Sequence, residues 1–168
     1  MKDRIKFNDA MLAAVMDGRK TQTRRPMKVQ PVLNGNWWEV YGAGWGKDSK
    51  SMPAVPGHSL ANNCPYGKVG EIISVADKDG NIKGKIEITD VWLQQIQEIS
   101  PSDAIAEGIK AGRYGNEGNW LVGFYIPNSN QPYITEKNAF KELWSSIYGI
   151  SSWRNNEWVW VIEFRKID

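Results

Sequence analysis

The stretch GRKTQTRR, residues 18–25, sets Arg19, Lys20, Arg24 and Arg25 beside Thr21 and Thr23. Cations this dense suit binding of phosphate or a carbonyl oxygen, and arginine does so with two parallel bonds. A threonine hydroxyl is a weak nucleophile until a neighbouring base takes its proton, and a lysine is that base only when neutral. Burial and nearby cations both drive a lysine toward neutrality, and Lys20 has Arg19, Arg24 and Arg25 close in sequence. The residues equally fit a solvated basic turn, so turn, phosphate cradle and active site all stand at this point. Elsewhere the chain offers a single cysteine, Cys64, and a single histidine, His58. A zinc site takes about four ligands, so no metal or other cofactor is expected, and a half-buried thiol and a loop imidazole are the expected roles.

The motif needs elements to position it. NDAMLAAVMD, residues 8–17, places Met11, Leu12, Val15 and Met16 on one helical stripe, with Asn8 or Asp9 as cap and Gly18 as stop. The basic stretch therefore begins where a helix ends, and Arg19 and Lys20 offset the negative charge of that end. SPSDAIAEG, residues 100–108, has Ser100 as cap, Pro101 in the first turn and Gly108 as stop. Glu107 closes this second helix, where its charge opposes the helix dipole, and that placement marks it as a candidate functional residue. GEIISVAD (70–77) and GKIEITDVWL (84–93) are predicted to form an antiparallel hairpin across KDGN. TEKNAFKELWSSIYG predicts an amphipathic helix with Phe140, Leu143, Trp144 and Ile147 inward, and WVWVIEFRKI (158–167) a final strand within the sheet. Residues 29–69 and 110–133, rich in Gly, Asn and Ser, are predicted as two long loops, each with one short strand. The expected class is α+β, a small barrel-like sheet of mixed or antiparallel strands with a few short flanking helices.

A chain of 168 residues suits one domain. A composition 41% hydrophobic and 24% charged excludes disorder. No apolar run approaches the roughly 20 residues of a membrane span, and MKDRIKFNDA lacks the apolar core of a signal peptide. With a lone cysteine, these features predict a cytoplasmic protein. The net charge of +2 is too mild to announce nucleic-acid binding. The basic charge is local instead: Arg19, Lys20, Arg24, Arg25 and Lys28 fall in ten residues without an acid.

The order of motifs, DGRKTQTRR, then KVGEIISV, DAIAEGI and WVWVIEF, resembles the ASCH domain, a relative of the PUA fold. The resemblance spans the chain apart from insertions at about 29–64 and 110–133, and CPYG with the LWSSIYG to NNEWVWV ending is similar to the phage and prophage subgroup. It implies a single PUA-like β-barrel domain whose cleft, walled by the G-R-K-T motif, binds RNA or a nucleotide. Some small bacterial members, the N(4)-acetylcytidine amidohydrolases, remove an acetyl group from a modified base with a Lys, a Thr and a Glu. The matching positions are Lys20, Thr23 and Glu107, which the resemblance makes the catalytic candidates. Arg19, Thr21, Arg24 and Arg25 are the ligand-binding candidates.

Lys20 and Thr23 are three residues apart, so a regular strand would send them to opposite faces. A shared site requires residues 20–23 to bend and both side chains to converge on Glu107. Three functions fit these residues. An RNA- or nucleotide-binding module would set the basic motif on phosphate and stack bases on Trp37, Trp38 or Trp45, with Trp144, Trp158 and Trp160 as core. A hydrolase, either a modified-nucleoside amidohydrolase or a ribonuclease, would use Lys20, Thr23 and Glu107. A protein-interaction module would use the aromatic loop 36–66.

Overall fold

A computed structural model describes residues 4–40, 52–58 and 60–168. The expected helix after the first strand forms as α1, Asp9–Met16, with Asn8 Oδ1 accepting from the Met11 amide at 2.9 Å. Gly18, at φ +83°, reverses the chain, and the amides of Arg19 and Lys20 both reach the Ala14 carbonyl at 3.0 Å. That turn brings the basic stretch back beside the sheet as β2, Gln22–Pro26.

The predicted hairpin forms from β6, Ile72–Ala76, and β7, Ile82–Gln95. Its turn is held by Asp77 Oδ1, which accepts from the amides of Asp79 and Asn81. With β1, Arg4–Lys6, and β10, Trp158–Ile167, these strands build a five-stranded sheet in the order β1-β6-β7-β10-β2. Only the β1–β6 pair is parallel. Val75, Ile86, Ile88, Leu93, Trp158, Trp160 and Ile162 are essentially inaccessible to solvent, and so are Val159 and Val161, so β10 is buried on both faces.

The expected α+β class is observed; a closed barrel is not, among the described residues. Closure would require backbone pairing between β1 and β2. β1 is only three residues long, and the chain leaves it directly for α1. A side chain joins the two edges instead: Arg25 Nη2 donates to the Lys6 carbonyl at 2.7 Å.

Two further helices form as expected, and a short one that was not expected follows them. α2, Pro101–Ala106, is capped by Ser100 Oγ and closed by Glu107, one residue beyond its last helical residue. α3, Glu136–Tyr148, is capped by Thr135 and packs Ala139, Phe140, Leu143 and Trp144 inward, and α4, Ile150–Arg154, follows after Gly149. Ile147 lies on the predicted stripe but is 49% exposed.

The two predicted loops are more regular than their composition suggested. Residues 29–64 hold a three-stranded sheet of β3 (Val32–Asn34), β4 (Trp37–Val40) and β5 (Met52–Ala54). Residues 110–125 form a hairpin of β8, Lys110–Asn116, and β9, Asn119–Tyr125. Its glycines had read as loop, yet at Gly115 any Cβ would lie 2.6 Å from the Asn119 carbonyl oxygen, so the close strand approach needs glycine there. No helix among the described residues is long and apolar enough to cross a membrane.

Candidate functional site

Lys20 leaves the turn after α1 before the extended run of β2 begins, while Thr23 lies inside the strand. Because the chain is not extended across the whole interval, both residues line one cavity of about 170 Å³. Arg24, Arg25 and Glu107 line it too.

The charged wall is a connected network. Lys20 Nζ donates to the Gln22 carbonyl, the Glu107 carbonyl and Glu107 Oε1, each at 2.8 Å. Three donors meeting three acceptors is the arrangement a lysine ammonium satisfies completely. Burial draws the Lys20 pKa below the ordinary lysine value; Glu107 opposes this, and Arg25 and Arg24 add to it. Arg24 Nη1 reaches Glu107 Oε2 at 3.1 Å and Gln22 Oε1 at 2.9 Å. Its Nη2 reaches Asp103 Oδ2 at 3.2 Å, and its Nε and Nη2 both reach Gln94 Oε1. The Arg24 side chain has no solvent exposure, and its donors go to protein acceptors. Gln22 Nε2 extends the network to Asp103 and Glu163.

Arg25 points the other way along β2. Its Nε donates to Thr23 Oγ1 at 3.2 Å, and its guanidinium carbon lies 5.0 Å from the Phe7 ring centroid. Lys20 Nζ lies 5.9 Å from the same ring, so Phe7 is a shared cation–π floor. The Thr23 hydroxyl accepts from Arg25 and keeps its own proton to donate.

The opposite wall is α3. Phe140, Trp144 and Tyr148 recur every four residues and stack along one face, with centroid separations of 6.1 and 4.3 Å. Leu143 and Ile147 fill the gaps. Trp144 is fixed by its indole N–H, which donates to Ser152 Oγ at 2.9 Å. Tyr148 is half-exposed at the mouth, and burial holds its phenol above the usual tyrosine pKa, so it presents an O–H at neutral pH.

Two sequence candidates lie elsewhere. Arg19 points away and pairs with Asp17 at 2.9 Å on the surface. Thr21 acts through its backbone, its amide on the Ala106 carbonyl and its carbonyl accepting from Phe164, which ties the motif to α2 and β10. Thr23 converges on the cavity, but its hydroxyl bonds Arg25, and Arg24 takes the second Glu107 oxygen. Gln22, Asp103, Gln94 and the α3 ladder were not anticipated. Their signals were present: Gln22 and Arg24 alternate on one strand face, and Asp103 in α2 lies four residues before Glu107 at its end.

His58 bonds Asp90 at about 3 Å on the surface, whereas Cys64 is buried and takes its hydrogen bonds from the Tyr66 and Gly67 amides. Burial raises the Cys64 thiol pKa, so thiolate is scarce at neutral pH. Alkylation of Cys64 by iodoacetamide at pH 7 is expected to be slow in the folded protein and rapid in denaturant; equal rates would contradict this burial. Of the tryptophans proposed as platforms, Trp37 is exposed and Trp38 packs edge-on against Trp158, while Trp45 lies outside the described residues.

Fold and site together define an α+β domain in which an edge strand, a short helix end and an aromatic helix enclose a charged cavity. No protein-family model matches the chain, and no curated protein matches it. Among the solved structures similar to it are an ASCH domain and a DUF984 protein. The ASCH domain is from Lactobacillus crispatus JV V101, at TM-score 0.47 and 14% identity, covering 94% of this chain and 70% of that one. The DUF984 protein is from Enterococcus faecalis V583, at TM-score 0.46 and 16% identity, covering 100% of this chain and 77% of that one. At these identities no chemistry passes from either protein to this chain.

Proposed function

We propose that the cavity binds the base of one unpaired nucleotide, in RNA or as a free nucleoside, in an ASCH-type domain. The observation that carries this reading is the pairing of an aromatic ladder with a charged wall in one small cavity. A cavity of about 170 Å³ is close to the ~150 Å³ that holds a single benzene and below the ~300–1,000 Å³ of drug-sized pockets. One base is therefore enclosed, with its sugar and phosphate outside. Tyr148 and Ile147 at the mouth supply stacking surface, and Arg25 and Thr23 supply donors to the base edge. Arg24, whose donors are occupied, positions Glu107.

Titrating a panel of nucleosides against the tryptophan fluorescence tests this. Base stacking on an aromatic is worth about 1–3 kcal/mol, so Tyr148→Ala is expected to weaken binding by roughly 5- to 150-fold. No nucleoside binding at millimolar concentration, or equal affinity in the variant, would overturn the reading.

The lowered Lys20 pKa favours a second reading, a hydrolase of an acylated nucleoside. A neutral Lys20 would take the Thr23 proton, and the rate would rise with pH as Lys20 loses its own. Acetylcytidine hydrolysis by wild type and Lys20→Ala decides it: equal, near-zero rates remove this reading. The three acceptors around Lys20 support the ammonium and hence the binding reading.

A further inference from the structure

A second concavity lies on the far side of the Lys20 backbone from the cavity. It is an open groove of about 610 Å³ between the end of α1 and the β8–β9 hairpin. Arg19, Lys110 and Arg113 line it, with Asp17 as the acid, and Tyr125, Asn128 and Asn130 complete its polar wall. Arg19 and Lys20 are consecutive, yet one lines the groove and the other the cavity. Glu107 and Lys110 divide in the same way, and a Cβ at Gly108 would stand within 4 Å of both Lys20 and Pro127, which lines the groove.

The hairpin beside the groove has an unusual surface. Register pairs Arg113 with Val122 and Gly115 with Trp120, so Arg113, Trp120 and Val122 share one face. Trp120 is 52% exposed and Val122 62%. A two-stranded ribbon gains stability by burying such residues, and this one leaves an indole and a guanidinium open side by side. Aromatic surface interleaved with cations beside a cationic polar groove is what an unpaired nucleic-acid strand requires: bases stack and phosphates pair. Charge alone would suit an acidic peptide equally; the open indole of Trp120 on the face of Arg113 is what favours a nucleic-acid strand.

We propose that the groove and the exposed hairpin face form a second contact for single-stranded RNA, continuing the strand whose base the cavity holds. This rests on the nucleotide-binding reading of the cavity. Lys110 and Arg113, which both line the groove, meet phosphates further along the strand, and Trp120 stacks a base beyond them. The nucleoside enters the cavity alone; an oligonucleotide engages both regions.

The test compares a nucleoside with a nine-nucleotide single-stranded RNA, measured by calorimetry and by fluorescence anisotropy across a salt series. Single-strand binding loses about 0.7 of a log unit of affinity per decade of salt for each phosphate neutralised. Lys110→Gln with Arg113→Gln is therefore expected to flatten the oligonucleotide slope by about 1.4 and leave nucleoside affinity unchanged. Trp120→Ala is expected to weaken the oligonucleotide about 5- to 150-fold, and Trp120→Tyr to retain most of the affinity. These residues are exposed, so the variants fold. An unchanged slope and affinity with nucleoside binding intact would overturn the groove and leave the cavity reading standing. Loss of both ligands by wild type would overturn both.

Discussion

Glu107→Gln is expected to destabilise the protein by about 3–5 kcal/mol, which for a domain of this size lowers the melting temperature by about 6–20 °C. The magnitude follows from what the carboxylate compensates. Its oxygens meet Lys20 Nζ at 2.8 Å and Arg24 Nη1 at 3.1 Å, and side-chain exposure is 3% for Lys20, 5% for Glu107 and nil for Arg24. Removing the negative charge leaves two buried cations, with Asp103 as the remaining acid beside Arg24. Ordinary surface pairs are worth far less, about 0–1 kcal/mol, because water screens them. Replacing Lys20 and Glu107 together by Met and Leu is expected to recover part of the loss, since the uncompensated ammonium goes with its partner. Chemical denaturation of the three proteins measures this. A Glu107→Gln loss below about 1 kcal/mol would mean that the network is open to water.

The second large effect separates two neighbours. Arg24→Gln is expected to cost about 3–5 kcal/mol, because it strips a buried partner from both Glu107 and Asp103. Arg25→Gln is expected to cost about 1 kcal/mol, because the bonds to Thr23 and Lys6 are partly or wholly open to solvent. Nucleoside affinity should reverse the order. Arg25 faces the cavity beside Phe7 and Tyr148, so its loss weakens binding by about tenfold, the worth of one charge-assisted hydrogen bond. Arg24→Gln, assayed at a temperature where it stays folded, acts on affinity only through Glu107. Denaturation and calorimetry on both variants read the two orders, and parallel losses would contradict this division of roles.

How much of this was legible in the sequence depends on the range of each signal. α1, α2 and α3 carry their caps and stops locally: Asn8 with Gly18, Ser100 with Gly108, and Thr135 with Gly149. The β6–β7 hairpin announces itself through Asp77 and Gly80. β8 and β9 did not, because glycines demanded by close strand approach look like loop residues until the partner strand is known. β3 and β5 are three residues each, too short for alternation to register. At the site, local composition marked the whole basic stretch, and the resemblance alone picked Lys20 and Thr23 out of it. Neither could separate Arg24 from Arg25, because which one meets Asp103 and Glu107 depends on α2 packing against β2. The inward stripe of α3 was right in direction, yet Ile147 faces a cavity that only the tertiary fold creates.

A base is expected to enter between α3 and the Lys20–Glu107 wall. NMR of methyl- and indole-labelled protein during nucleoside addition tests it most directly. The expected result is saturable shifts of the Leu143 and Ile147 methyls and of the Trp144 indole N–H, with the Trp37 indole unmoved. Absence of any shift at millimolar nucleoside, or shifts confined to Trp37 and Trp120, would contradict it.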